Sequence, residues 1–259
     1  SPVYSHTTSF LFRAAPVADI VSGVAALLLV PFGEVPSLVS LPGVFVLLGG
    51  LFGLSRYALI LGALDTGSAF EGMVAAREAL FSALAEPIFL FTLLLVGFQA
   101  YHYSLSGMLG AVDRSLWQAS WPFYLTAVCA LFLLLLPENC RIPVDDPNTH
   151  LELTMIHEVM ILDHSGPDLA LLEYASALKL WIFSLLIAGL LSPGVSGMAG
   201  AGAMGRLAAC LLTFLLIVLV AVLVGIVESL MARVRMERVP QILTLAGSFA
   251  CVAALALWI

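Results

Sequence analysis

The sequence predicts an all-α polytopic membrane bundle of about seven transmembrane helices, a single integral membrane domain over 1–259. Three observations carry that reading. Of the 259 residues 61% are hydrophobic and 10% charged, with a mean hydropathy of +1.08, whereas a soluble domain carries about 25% charged residues. Apolar runs recur at the length, about 20 residues, that a helix needs to cross ~30 Å of hydrocarbon. None alternates with the period of two that a membrane barrel strand requires.

The runs fall at 14–31, 42–64, 74–100, 117–137, 167–191, 203–228 and 239–258. The first follows "SPVYSHTTSFLFRAAP", which has no basic segment ahead of an apolar core. It reads as a loop leading into a membrane helix, not a signal peptide, and raises the expectation that further residues, a whole helix among them, precede Ser1. Pro31-Phe32-Gly33 and Leu41-Pro42-Gly43 punctuate the first connection. In the second, "LDTGSAFEGMVAARE" offers Asp65, Thr66, Gly67 and Ser68 as an N-cap region, with Glu71 in the first helical turns and Arg77 near the membrane boundary. "LSPGVSGMAGAG" from Leu191 reads as a tight connection. Counting from the N-terminal segment, Arg13, Arg141, Arg233, Arg235 and Arg238 fall on one side with Arg77 close by, against Arg114 and Arg206 on the other. The positive-inside rule makes the first side cytoplasmic, and with it the polar 138–166 loop.

Composition excludes several classes of function. A net charge of −7 without a basic run gives nucleic acid nothing to bind. Cys129, Cys140, Cys210 and Cys251 are scattered, with no CxxC and no Cys/His cluster, so no iron–sulfur cluster or structural zinc is expected in this chain. There is no nucleophile elbow, P-loop or GxGxxG. Catalysis by the chain alone is not expected, and any electron carriers would sit in partner subunits.

The informative feature is charge where charge is expensive, about 2.5–3.5 kcal/mol per ionised group at the bilayer centre on insertion scales. Glu86 and Lys179, the only lysine, each lie near the middle of a run, and each is the other's natural partner by depth. Pro87 removes a backbone donor beside Glu86 and loosens that helix. Glu173 and Glu228 lie nearer the cytoplasmic end, where an interfacial role competes with a functional one. Staggered groups of this kind suit a proton relay, although a structural ion pair or a snorkelling lysine would account for some of them. His150, His157 and His164 recur every seven residues. That spacing is too wide for one metal ion and leaves surface proton transfer open.

The stretch "ENCRIPVDDPNTHLELTMIHEVMILDHSGPDLALLEYASALKL", together with "LDTGSAFEGMVAAREALFSALAEP" and "VESLMARVRMERVPQIL", resembles the membrane subunits of formate hydrogenlyase and hydrogenase-4. These belong to the respiratory complex I subunit 1 family. The resemblance covers nearly the whole chain. It implies an eight-helix subunit in the cytoplasmic membrane of a prokaryote, of which the first helix would precede this sequence. Such a subunit is the heel of an L-shaped complex. It docks a peripheral arm of hydrogenase large and small subunits, which hold the nickel–iron centre and iron–sulfur clusters, and it adjoins antiporter-like membrane subunits.

By motif, Glu138, Arg141, Pro143 and Asp145 match the family's "E-x-x-R-x-P-x-D" loop, and Glu152 its following glutamate. Glu173 matches the acid of "AEYA", and Glu86 the acid closing the preceding block. The resemblance thus implies a proton path through Glu86, Glu138, Glu173 and Lys179, to which the depth of Glu228 adds that residue. It implies a docking surface at Arg141, Asp145, Asp146, Glu152, His157 and Asp163. Departures are informative: "PVDDPN" stands where the quinone-reducing branch has a "PFDLPE" type sequence, which favours a hydrogenase-type partner. The alternatives are a quinone-site subunit of an NADH:quinone oxidoreductase and a stand-alone ion transporter.

Overall fold

A computed structural model describes residues 8–141, 144, 156–192, 202–231 and 238–258. Seven helices are long and apolar enough to cross a membrane: α1 (Phe10–Leu29), α2 (Val44–Asp65), α3 (Ala69–Ala100), α6 (Trp121–Glu138), α8 (Pro167–Leu191), α9 (Gly202–Leu230) and α10 (Val239–Ala256). Three short helices complete the described residues: α4 (Leu105–Gly110), α5 (Arg114–Ala119) and α7 (His157–Met160). There is no strand among them, and the chain is an all-α polytopic membrane bundle. The face where α1 begins is called A and the opposite face B. Asp65, Ala69, Glu138, Pro167 and Leu230 lie toward A; Leu29, Ala100 and Leu191 lie at B.

The helices agree with the predicted runs except where polar residues join an apolar segment. α3 begins at Ala69, before the predicted 74, because Ser68 turns the chain and Glu71 fits its first turn. The run from 117 divides: Asp113 caps α5 through Leu116 N at 2.7 Å, and Pro122 restarts the chain as α6. Asp65 does cap a helix, but not the one that follows it. Its carboxylate accepts from Ser9 N at 2.6 Å, Ser9 Oγ at 2.7 Å and Phe12 N at 3.3 Å. The antiparallel packing of α2 on α1 brings the end of one helix to the open N–H groups of the other.

The α1–α2 pair packs through α1 on α8 and through α2 on α3, while α10 lies against α6 and α3. α9 packs chiefly on α8; it is apolar all round, with a mean hydropathy of 3.3 over its best window and 22% of that window buried. Such a helix at the edge of a bundle suits lipid or another membrane subunit. Close approach depends on particular glycines. A Cβ at Gly62 would lie 2.9 Å from Ala15 Cβ, whereas one at Gly50 would meet nothing within 4 Å. Gly62→Val is therefore expected to push α1 from α2 and cost about 1–3 kcal/mol, with Gly50→Ala near neutral. Thermal unfolding of the detergent-solubilised chain, followed by tryptophan fluorescence, checks the contrast.

Candidate functional site

Three neighbouring helices place a charged residue at one depth. Asp19 is nine residues from the start of α1, Arg56 nine from the end of α2 and Glu78 nine from the start of α3. Each lies about 14 Å along the helix from face A. α6 ends at this level rather than at the face. Its last turn closes with Cys140 N donating to Pro137 O at 3.2 Å and Arg141 N to Leu136 O at 2.9 Å, with Cys140 left-handed at φ 47°. This is a Schellman stop, and it leaves Glu138 inside the bundle.

Arg56 is the centre of the site, 4% exposed. Its guanidinium uses three edges on three carboxylates: Nε lies 3.1 Å from Glu78 Oε1, Nη1 donates to Glu86 Oε1 at 3.1 Å, and Nη2 donates to Glu138 Oε2. Gly53, one turn before Arg56, lies beside Glu86: a Cβ there would stand 3.4 Å from Oε1, an ordinary contact distance. Asp19, buried on α1, accepts from Ser55 Oγ. Lys179 on α8 joins Asp19, Arg56, Glu78, Glu138 and His157 around a cavity of about 30 Å³, room for a water or two. Four acids, Asp19, Glu78, Glu86 and Glu138, stand against Arg56 and Lys179; fully ionised, the group carries 2 − 4 = −2.

The cluster has a floor and a roof. Phe52, Phe89 and Phe183, all buried, lie one turn toward face B from Arg56, Glu86 and Lys179, with ring centroids 5.2–5.8 Å apart. Lys179 Nζ stands 5.9 Å from the Phe52 ring centroid, within cation–π range. Above the cluster the chain folds back: Val144, Ile156, Val159, Met160 and Ile161 are buried. His157 and Met160 face the cavity.

The predicted residues separate into groups. Glu86, Glu138 and Lys179 come together, but the ion pair to Glu86 is made by Arg56, not by Lys179 as depth alone suggested. Helical depth fixes a height and says nothing of which helices are neighbours. Glu228 pairs with Arg141 at 3.7 Å, joining the end of α9 to the chain after α6. Glu173 does not join; it is exposed on α8. His157, expected on a docking surface, lies in the cavity wall, drawn in by its apolar neighbours. Asp163 is exposed, and Arg77 is half-buried with Nη2 3.5 Å from Met73 Sδ. Asp145, Asp146, Glu152 and His150 lie outside the described residues. Sequence reasoning missed Arg56 and Asp19. Each is a single charge in an otherwise apolar run, the same signal that singled out Glu86. Among the described residues no group of three or more His, Cys, Asp or Glu is arranged to hold a metal.

The family model "NADH dehydrogenase" matches residues 2–259. The chain belongs to that family. It is 26% identical over 247 residues to "Formate hydrogenlyase subunit 4" of Escherichia coli (strain K12), covering 95% of this chain and 78% of that protein. It is 29% identical over 255 residues to "Hydrogenase-4 component C" of the same organism, covering 95% and 76%. The fold is similar to a chain in the solved structure of the membrane-bound sulfane sulfur reductase, an archaeal respiratory membrane complex: TM-score 0.78 at 15% identity, over 98% of this chain and 81% of that one. Membership extends over the whole bundle, the Arg56 cluster included.

Two predictions follow from the geometry. Arg56→Gln leaves buried carboxylates without their cation, and breaking such a pair costs about 3–5 kcal/mol. Accumulation in membranes is expected to fall sharply and to recover in part when Glu138→Gln is added; quantitative blotting of membrane fractions reads both. The second concerns acid. Burial first, then Lys179 and Arg141, holds His157 down to about 4, and burial lowers His164 against the pull of Asp168 and Asp163. The unfolded chain takes these protons below about 6.5, while the folded chain resists them. Stability should therefore be full above pH 6.5 and decline as pH falls toward 4. His157→Gln should flatten that decline in pH-dependent thermal unfolding.

Proposed function

We propose that this chain is the membrane-anchoring and proton-coupling subunit of a hydrogenase or formate hydrogenlyase-like redox complex. The observation that carries the proposal is the Arg56 cluster: an excess of carboxylate, a small polar cavity, and an aromatic floor between both and face B. Such a group can take up and release protons from the A side. The floor argues against direct passage to face B and so against a stand-alone transporter. Transfer would run sideways through Glu86, whose side chain is 40% exposed, toward a neighbouring membrane subunit of antiporter-like type. Glu173, exposed on α8, is a second outward-facing acid for which a protein partner, not lipid, is the economical environment.

On this reading face A is cytoplasmic and receives the peripheral arm, with its nickel–iron and iron–sulfur subunits. Arg141, Asp145, Asp146, Glu152 and Asp163 belong to that docking region, and the Arg141–Glu228 pair ties it to α9. The names of the two bacterial relatives support a hydrogenase-type partner. The 30 Å³ cavity is small for a quinone headgroup, which disfavours the quinone-site alternative among the described residues.

Purification from native membranes is expected to co-isolate soluble redox subunits with nickel and iron; a monodisperse chain without partners would refute the assignment. Within that complex, Glu86→Gln is expected to lower coupled proton movement at least tenfold, about 1.4 kcal/mol in the barrier, while leaving assembly intact. Dye-quench measurements in proteoliposomes check it, and unchanged proton movement would remove Glu86 from the path.

A further inference from the structure

A second polar cavity lies at face B, across the aromatic floor from Arg56. Its volume is about 40 Å³, and Gly33, Glu34, Gly110, Gly189, Ser192 and Thr213 are among its lining residues. Glu34 sits at the tip of a two-residue turn, closed by Phe32 N to Val35 O at 3.0 Å and Val35 N to Phe32 O at 2.9 Å. Gly33 holds φ +58°, and a Cβ there would stand 3.1 Å from Thr213 Oγ1. The turn is thus wedged against α9. A Cβ at Gly189 would meet Leu109 at 2.9 Å, so glycine also keeps α8 close to α4 at the cavity edge.

The side-chain oxygens among its lining residues are available as acceptors. Glu34 Oε1 is shut off from solvent and has no hydrogen-bond partner among the described residues. Ser192 Oγ donates its proton to Gly189 O at 3.2 Å, and Thr213 Oγ1 donates to Ala209 O at 3.0 Å, which leaves both oxygens with lone pairs only. The cavity also receives the carbonyl-bearing end of the 25-residue helix α8, the negative end of its dipole. Neither Arg206 on α9 nor Arg114 after α4 lines the space.

We infer that this cavity is a binding site for a small monovalent cation of sodium's kind, with Glu34, Ser192 and Thr213 as oxygen ligands. Hard cations take carboxylate, hydroxyl and carbonyl oxygen. A single carboxylate balances one positive charge, and the volume admits an ion with a water or two. The site lies beyond the proposed coupling role and does not depend on it.

Sodium binding to the detergent-purified full chain, with the subunits that accompany it, is measured by equilibrium dialysis of a sodium radiotracer in choline buffer. The wild type is expected to bind one more sodium per chain than Glu34→Gln, and Thr213→Val to weaken that binding on the order of tenfold. Equal stoichiometry in the wild type and Glu34→Gln overturns the site, including the case in which Glu34 carries only a proton. If Glu34→Gln fails to accumulate, Thr213→Val decides, and an affinity equal to the wild type's overturns the site.

Discussion

One guanidinium inside the membrane bundle constrains the rest of the structure. Arg56 does not lose its proton at any accessible pH, so its charge must be met by oxygen or the helix does not insert at that depth. Three carboxylates meet it, two from α3 and one from the last residue of α6. Because each occupies a different edge of one rigid plane, the contact fixes the height and rotation of α2, α3 and α6 at that level. The apolar contacts elsewhere on these helices, such as the close approach of Gly49 to Leu90, act in the same register.

α6 ends early, and Glu138, its last residue, reaches Arg56 from a helix terminus about 14 Å short of face A. Among the described residues beyond it, Val144, Ile156, Val159 and Met160 are buried. A polar surface loop would leave the cluster open to bulk water and weaken each interaction by screening. His157 stands in the cavity wall, and Arg141, just after α6, pairs with Glu228 at the end of α9.

The seven spans were legible because hydropathy reports helix length directly, and α8 begins and ends where its apolar run does. Boundaries shifted only where a polar turn was continuous with the helix, as at Ala69. The site was legible in part. Glu86 and Lys179 stood out as costly charges and Glu138 through its motif, yet Arg56 and Asp19 were hidden because one charge barely lowers the mean hydropathy of twenty residues. A balance of charges exposes the omission: the buried acids needed more positive charge than one lysine supplies. The pairing of Glu86 was not legible, since choosing between Arg56 and Lys179 requires knowing which of the two cations the packing of the helices brings within reach of it. The burial of His157 is legible in its neighbours, since Ile156, Val159 and Met160 carry the apolar spacing of a buried turn.

Polar groups on both faces with an aromatic layer between them limit how the bundle can work. Phe52, Phe89 and Phe183 each sit one turn from a member of the charge cluster and contact one another. A water chain between the Arg56 cluster and the Glu34 cavity would have to part these rings, losing buried aromatic area on three helices at once. The cluster has a cheaper opening at Glu86, where the side chain is already partly outside the bundle. Under the proposed coupling role, a change at face A would leave this chain laterally, as a change in the charge that Glu86 presents to a neighbour. On that reading the aromatic layer preserves coupling, because it denies protons the direct route across the membrane.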